Sequence, residues 1–485
     1  MPVEKPNIIL VTTDQQRWDT CGPAAPGWMR TPHFDLLCRQ GMRFDAAYAD
    51  CPICVPARVS IMNGQYSHTH GMAYNGSSSD VLGREGTLPS RLRELGYQTC
   101  AVGKMHFSPQ RTRHGFDEMI LPDDYYREMA RSGSRAQPMR HGLGQNELDP
   151  AMATVPEAET LTSWIAERCV DYILDRRDPT VPFFLWCSFS KPHPPLDPPE
   201  PYYSMYRDCE MPAPALGDWR EPGRVPPAFE AYQVAREHDR LPADLVRAAW
   251  AAYLGLVTQC DYNMGRIFQA LQDKGLFDEA LIVYTSDHGE MLGDHRAAAK
   301  VFFHEGAAHV PAVVRPPRSS EPRMPGAVVT DVVTHADVLP TLVAAAGGEV
   351  GAEVEGLDMI GLAAGRVEPR RCLEASVTTG GEAIYHAVTD GRWKYIWYPE
   401  GARELLFDLA SDPREENDLS SAGDHDAKLG EMRSEMTGRL EARGSALVDG
   451  GELVTRPVVE IDEKELRSRG WPGLHTERCD LDVRH

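Results

Sequence analysis

The sequence predicts an α/β protein: a large, mostly parallel sheet flanked by helices, followed by a smaller C-terminal antiparallel sheet plus helix. Three observations predict it. Short apolar runs at 8–13, 97–102, 182–189 and 281–285 alternate with helical patterns at 89–95, 160–177 and 243–274, as expected when parallel strands are joined by crossover helices. From about residue 371 the texture changes to the strand-like runs 384–388 and 393–398 flanking Asp390-Gly391, a strong two-residue hairpin signal. A further run at 404–409 and an amphipathic stretch at 426–443 supply another strand and a helix to cover the small sheet. With 485 residues, the chain exceeds one simple core. The expected division is a large unit over 1–370, a small α+β unit over 371–450 and an unpatterned tail over 451–485.

Composition removes several function classes. Lys plus Arg total 50 against 72 Asp plus Glu, a net charge of -22, so a nucleic-acid partner is not expected. An anionic ligand must then be held by a local cluster of cations. The N-terminus enters the first strand without a basic region, long apolar stretch or cleavage site, and no run approaches the roughly 20 apolar residues that span a bilayer. A soluble protein with no membrane partner is expected. Eleven cysteines is an odd count spread over a long chain, which fits reduced thiols and a cytoplasmic location better than a disulfide framework.

Just past each of the four strand-like runs stands a group able to bind a metal or an anion: Asp14 and Gln15, Lys104 and His106, Lys191 and His193, Asp287 and His288. In an open α/β sheet, ligands collect beyond the carboxyl ends of the strands, so these groups converge if the strands are parallel neighbours. The carboxylates of Asp14 and Asp287 suit a hard divalent cation, to which Gln15 adds a neutral oxygen and His288 a nitrogen. Either aspartate could instead be a capping residue.

Cys54 lies in Cys51-Pro52-Ile53-Cys54-Val55-Pro56-Ala57-Arg58, followed by a short helical stretch at 59–63 and Gly64. Pro56 suits a first helical turn, which places Cys54 at a helix N-terminus, a favourable place for an anion or an ionised nucleophile. Arg58, one turn on, is near enough to hold the nucleophile or an oxyanion. Read alone, Cys51 and Cys54 could also form a redox dithiol, half of a zinc site or two buried thiols.

The whole set resembles the formylglycine-dependent sulfatase family of the alkaline-phosphatase superfamily, whose signature C-x-P-x-R followed by Gly is matched by Cys54, Pro56, Arg58 and Gly64. The resemblance extends to Gly103-Lys104 and His106, Asp287-His288-Gly289, Lys300, and the C-terminal Phe407-Asp408-Leu409 with Asp412-Pro413 and Asn417. It implies an alkaline-phosphatase-like fold with a sulfatase catalytic domain over 1–370. It implies a 3-oxoalanine (formylglycine) nucleophile made from Cys54 by a formylglycine-generating or equivalent maturation enzyme. One divalent ion is implied at Asp14, Gln15, Asp287, His288 and residue 54. Many sulfatases have a second Asp and an Asn where this chain has Gln15 and His288; the Asp, Gln, Asp, His set resembles phosphonate monoester hydrolases and choline-sulfatase-like enzymes. A histidine ligand softens the site, so Ca²⁺ or Mn²⁺ is expected ahead of Mg²⁺. The family's pattern further implies that Lys104 and Lys300 bind sulfate oxygens, that His106 assists the hydrated aldehyde, and that His193 faces the leaving group. Asn75 is a weaker substrate-contact candidate.

The expected activity is therefore hydrolysis of a small-molecule or saccharide sulfate ester. Phosphonate monoester or phosphodiester hydrolysis with the same nucleophile is the alternative, and a noncatalytic binding protein on this fold is a third reading. Lys191, His295, His304 and His309 are expected to be surface residues. The leaving-group pocket is expected from loops 123–150 and 198–226, with Tyr125, Tyr126, Tyr202 and Tyr203 as candidate lining, and the tail offers a contact for a homo-oligomer.

Overall fold

The computed structural model describes residues 5–132, 140–321, 323–379, 382–459 and 462–468. Its strands, in chain order, are β1 (Asn7–Asp14), β2 (Met42–Phe44), β3 (Ala47–Tyr48), β4 (Gln98–Gly103), β5 (Glu118–Ile120), β6 (Phe183–Pro192), β7 (Ala280–Ser286), β8 (Ala312–Arg315), β9 (Ala327–Val329) and β10 (Val333–Thr334). Eight of them form one sheet in the order β5-β4-β6-β1-β7-β8-β2-β9. All pairings are parallel except those of β8 with β7 and β2. The four expected strands are thus four neighbours, with β1 at the centre. Its run Ile8-Ile9-Leu10-Val11 is apolar throughout because both faces are covered. Ile8 and Leu10 pack with the helix Cys54–Asn63 and the helix Val338–Ala345, while Ile9 and Val11 pack with the helices Leu161–Asp171 and Ala243–Asp273.

Register brings the strand ends level. Thr13 lies opposite Ser286, Asp14 opposite Pro192, and Gly103 opposite Ser188. One face of Gly103 is pressed against β6: a side chain there would collide with the Ser188 carbonyl oxygen. Gly289, just past β7, meets the Gly306 carbonyl oxygen in the same way.

The second sheet is antiparallel, in the order β11 (Leu373–Thr379), β12 (Glu382–Thr389), β13 (Trp393–Tyr398) and β14 (Arg403–Asp408). Three residues, not two, separate β12 from β13: Asp390 Oδ1 accepts the backbone N–H groups of Arg392 and Trp393 and holds the turn. One face, with Val377, Tyr385, Ile396 and Phe407, packs on Tyr48 and Phe303 of the larger part. The other, with Val388, Tyr395, Trp397 and Leu406, is covered by Met432 and Met436 of the helix Asp426–Ala442. β11 and the reversed strand β8 had no distinct signal in the sequence. The described part of the tail runs back over the body, with Arg456 hydrogen-bonded to Pro399 and Gly401 and Arg467 paired with Asp239 at 2.7 Å. The rest of it, with Trp471-Pro472, lies outside the described residues. Among the described residues no helix is long and apolar enough to cross a membrane.

Candidate active site

The ends of β1, β4, β6 and β7 and the N-terminus of the helix Cys54–Asn63 meet at one buried cluster. Asp14 Oδ, Cys54 Sγ, an Asp287 carboxylate oxygen and a His288 ring nitrogen all lie within 4.8 Å of one another. Cys54 Sγ is 3.1 Å from His288 Nε2, and His288 Nδ1 donates to the Gly289 carbonyl at 2.9 Å. That outer hydrogen bond orients the ring and turns Nε2 toward the cluster. Asp14 Oδ1 is fully buried with no hydrogen-bond partner, an arrangement that costs free energy unless a cation completes it. Two hard carboxylates, one imidazole and one position for residue 54 fit a single divalent ion.

Cations frame the carboxylates. Lys104 Nζ is 2.7 Å from Asp14 Oδ2. Arg58 is wholly buried and spends every donor inward: Nε and Nη2 on Asp287 Oδ2 at 3.0 and 2.9 Å, Nη2 also on Asp14 at 3.4 Å, and Nη1 on the Lys104 carbonyl and on Ser188 Oγ at 2.9 Å. Arg58, expected to hold the nucleophile or an oxyanion, here holds the two aspartates and the end of β4 together. Burial raises the Asp14 carboxyl, but the charges of Lys104, Arg58 and His288 act against it and the group is held well below the usual range. Burial and Asp14 push the Cys54 thiol up, yet Lys300, Lys104 and His288 bring it down to about 5, so a nucleophile formed at this position sits where negative charge is favoured.

Gln15, in a left-handed conformation just past β1, reaches the cluster in two ways. Its N–H donates to Asp287 Oδ1 at 3.0 Å, and its side-chain oxygen accepts from Lys300 Nζ at 2.5 Å while its amide donates to Glu290. Lys300 Nζ also lies 3.0 Å from His193 Nε2, and His193 Nδ1 donates to the Pro194 carbonyl at 2.8 Å. Burial, with Lys300 and Lys104, drives the His193 pKa well below its ordinary value. His193 is therefore neutral and accepts from Lys300. Glu290, Ser188 and Arg17 were not singled out from the sequence. Glu290 fixes the Gln15 amide and the Leu292 and Ala299 N–H groups, and Arg17 binds the carbonyls of Glu290 and Met291. Their only sequence signal was nearness to a strand-end residue.

A cavity of about 340 Å³ opens over the cluster, lined by Asn75, Lys104, His106 and His193 and walled by Phe107, Leu121, Tyr125, Tyr126, Val155 and Leu161. Asn75 Oδ1 accepts the Val55 N–H at 3.2 Å. Of the four candidate tyrosines, Tyr202 instead packs edge-on to Tyr262 and Tyr203 lies under Arg207. Segment 198–226 does not reach this cavity, and residues 133–139 of the other expected loop lie outside the described ones. The four residues expected at the surface are elsewhere: Lys191 forms part of the cavity wall, and His295, His304 and His309 are buried between the sheets. Each found internal partners, which single residues in a sequence do not reveal. Cys51 Sγ points at the Ala73 carbonyl, 3.6 Å away, and neither it nor Cys54 is in a disulfide.

Sheet and strand-end cluster together define a hydrolase of alkaline-phosphatase-like fold. The sulfatase family model matches residues 6–348. The arylsulfatase of Clostridium perfringens is 30% identical over 475 residues, covering 93% of this chain and 97% of that one. The choline-sulfatase of Rhizobium meliloti is 28% identical over 443 residues, covering 87% and 83%. Among solved structures, the phosphonate monoester hydrolase of Agrobacterium radiobacter superposes with a TM-score of 0.76 at 25% identity, covering 93% of this chain and 100% of that one. The chain belongs to the sulfatase family, and it is an enzyme that hydrolyses sulfate esters.

Proposed function

We propose that the nucleophile of this sulfatase is made from Cys54 by oxidation to formylglycine, and that one divalent ion, Mn²⁺ or Ca²⁺ ahead of Mg²⁺, is held by Asp14, Asp287, His288 and residue 54, with Gln15 at its margin. The observation that carries it is the Cys54 Sγ position, 3.1 Å from His288 Nε2 and within the four-group cluster that includes the unpartnered Asp14 Oδ1. In that position the sulfur stands in for the hydroxyl oxygens of the hydrated aldehyde. The ion would lower the pKa of such a hydroxyl and stabilise developing negative charge. The hydrate would supply both a nucleophile and a second hydroxyl through which sulfate leaves. Lys104 and Lys300 then hold the sulfate oxygens, and Arg58 keeps the two carboxylates aimed. His193 holds the Lys300 ammonium on the leaving-group side, His106 takes a proton from the hydrate, and Asn75 contacts the ester. Peptide mass spectrometry across residue 54 tests the proposal, and an unmodified thiol in active enzyme from the native host would overturn it. A cytoplasmic setting, with the maturation enzyme acting there, belongs to the same proposal and is checked by fractionation.

A second reading, hydrolysis of phosphonate monoesters or phosphodiesters by the same nucleophile, is favoured by the Gln15 and His288 substitutions and by the solved phosphonate monoester hydrolase of similar fold. Both chemistries need similar charge stabilisation. An aryl phosphonate turned over far faster than the matching aryl sulfate would make this the principal activity.

A further inference from the structure

Two kinds of wall surround the cavity over Cys54. One is apolar: Phe107, Leu121, Tyr125, Tyr126, Val155 and Leu161. The other carries charges, and each is already answered. Lys104 is held by Asp14. Asp123, at the rim, is held by Arg111 at 2.9 Å and Arg127 at 2.6 Å, with Asp124 sharing Arg111. Lys191 is held by Asp197, and Lys191 Nζ also donates to the Pro195 carbonyl at 2.6 Å. The second Asp197 oxygen accepts from His141 Nε2 at 3.0 Å, while Leu143 N–H donates to His141 Nδ1 at 3.0 Å, fixing which ring nitrogen carries the proton. Lys191 and Asp197 are 15% and 10% exposed, so this ion pair faces the cavity but is shielded from bulk water. Among the described residues, no lining cation outside the reaction centre lacks a carboxylate partner.

Resting on the sulfatase reading, we propose that Asp197 is a specificity-determining residue: by neutralising Lys191 in the cavity wall it restricts the enzyme to single sulfate esters of uncharged, largely apolar alcohols. A volume of about 340 Å³ is near the lower end of the roughly 300–1,000 Å³ usual for small-molecule sites, which suits an alcohol of one or two rings. A second anionic group on the alcohol enters a desolvated wall whose ammonium outside the reaction centre, Lys191, is taken, and that is costly. A cationic alcohol gains nothing from Asp197 either, because Lys191 and His141 occupy its oxygens. Specificity here lies as much in the anion refused as in the ring accepted.

The test compares 2-naphthyl sulfate with the same ester bearing a 6-sulfonate, and with choline sulfate, using the mature metal-loaded enzyme. We expect kcat/KM for the neutral naphthyl ester to exceed both others by about a hundredfold or more, and Asp197→Asn to narrow the sulfonate gap about tenfold by leaving Lys191 uncompensated. The Asp197→Asn/Lys191→Met double variant should restore the gap, which a merely structural loss would not do. Equal turnover of the sulfonated ester or of choline sulfate by the unaltered enzyme, or an unchanged ratio in a folded Asp197→Asn variant, overturns the inference. If no sulfate is cleaved but naphthyl phosphonates are, the sulfatase reading fails instead, and the neutral and sulfonated phosphonates decide the role of Asp197.

Discussion

Two buried clusters of acids and histidines stand out among the described residues, and they differ in what answers their carboxylates and in what opens above them. At the Cys54 centre, Asp14 Oδ1 lacks a partner and a cavity opens above. Between the two sheets, Lys394 Nζ lies 2.9 Å from Glu415 Oε1 and is bonded to Glu305, His304 Nδ1 is 3.0 Å from Glu415 Oε2, and His309 Nδ1 is 2.6 Å from Glu305. His295, His304 and Glu415 lie close enough to hold an ion. There, however, the cation is already supplied by Lys394, the Gly217 N–H occupies His295 Nδ1, and Trp219 stacks flat on His304 at 4.9 Å. Burial and titratable groups alone do not mark a reactive site. An unpartnered carboxylate oxygen beneath a cavity does; His304 Nε2 is also buried without a hydrogen-bond partner, but the carboxylates around it are answered by Lys394, and that cluster joins two sheets.

The sharpest way to break this contrast is to exchange the fates of its members. Asp14→Asn should lower kcat/KM by about a thousandfold or more, because it removes charge from the candidate centre. Chelation should abolish activity, Mn²⁺ or Ca²⁺ should restore it, and elemental analysis should find one divalent ion per chain; two ions per chain would erase the distinction. Ion at a hundred times its Kd should add about 2.7 kcal/mol of stability, and His304→Ala should not alter the ion count. Lys394→Met should cost about 3–5 kcal/mol of unfolding free energy, as removal of one partner from a buried ion pair does, while kcat of the folded fraction stays unchanged. The smallest effect is on acid stability. Lys394 and the neighbouring histidines outweigh burial and hold the Glu305 and Glu415 carboxyls below their usual range. Their stabilisation is therefore present above the unfolded value of about 4.3 and lost as pH falls toward the folded one. Burial and His304 hold His295 well below the ordinary 6.5, so the unfolded chain takes up its proton first and stability declines from about pH 6.5 downward. Denaturant midpoints between pH 8 and 4 should fall, and Lys394→Met should flatten the carboxylate part of that slope.

Much of the candidate site was legible because its residues sit at strand ends, where an apolar run stops and one polar residue follows. Asp14 after Thr13 and Asp287 after Ser286 needed only the rule that ligands gather at such ends, and the crossover pattern placed four parallel strands. What was not legible depends on partners far apart in the chain. Arg58 reads as an oxyanion ligand until Asp14, Asp287 and Ser188 are seen around it. Lys191, His304 and His309 read as surface residues because Asp197, Glu415 and Glu305 become their partners only in the fold. Strand β8 is four residues long and reversed, too short to announce its direction. Cavity walls come from the irregular segments 105–117 and 145–160 and from the starts of the helices Pro122–Arg131 and Leu161–Asp171; in the sequence 123–150 reads as a loop, so Tyr125 and Tyr126, which are helical, could not be told from Tyr202 and Tyr203.

Gly103 and Gly289 stand beside Lys104 and His288, each pressed against a carbonyl oxygen of a neighbouring segment. A saturating mutational survey should therefore show two narrow intolerant positions at which even alanine inactivates, although neither glycine bears a functional group. An engineer seeking new substrates has the cavity walls to vary freely, and at these two points has no latitude.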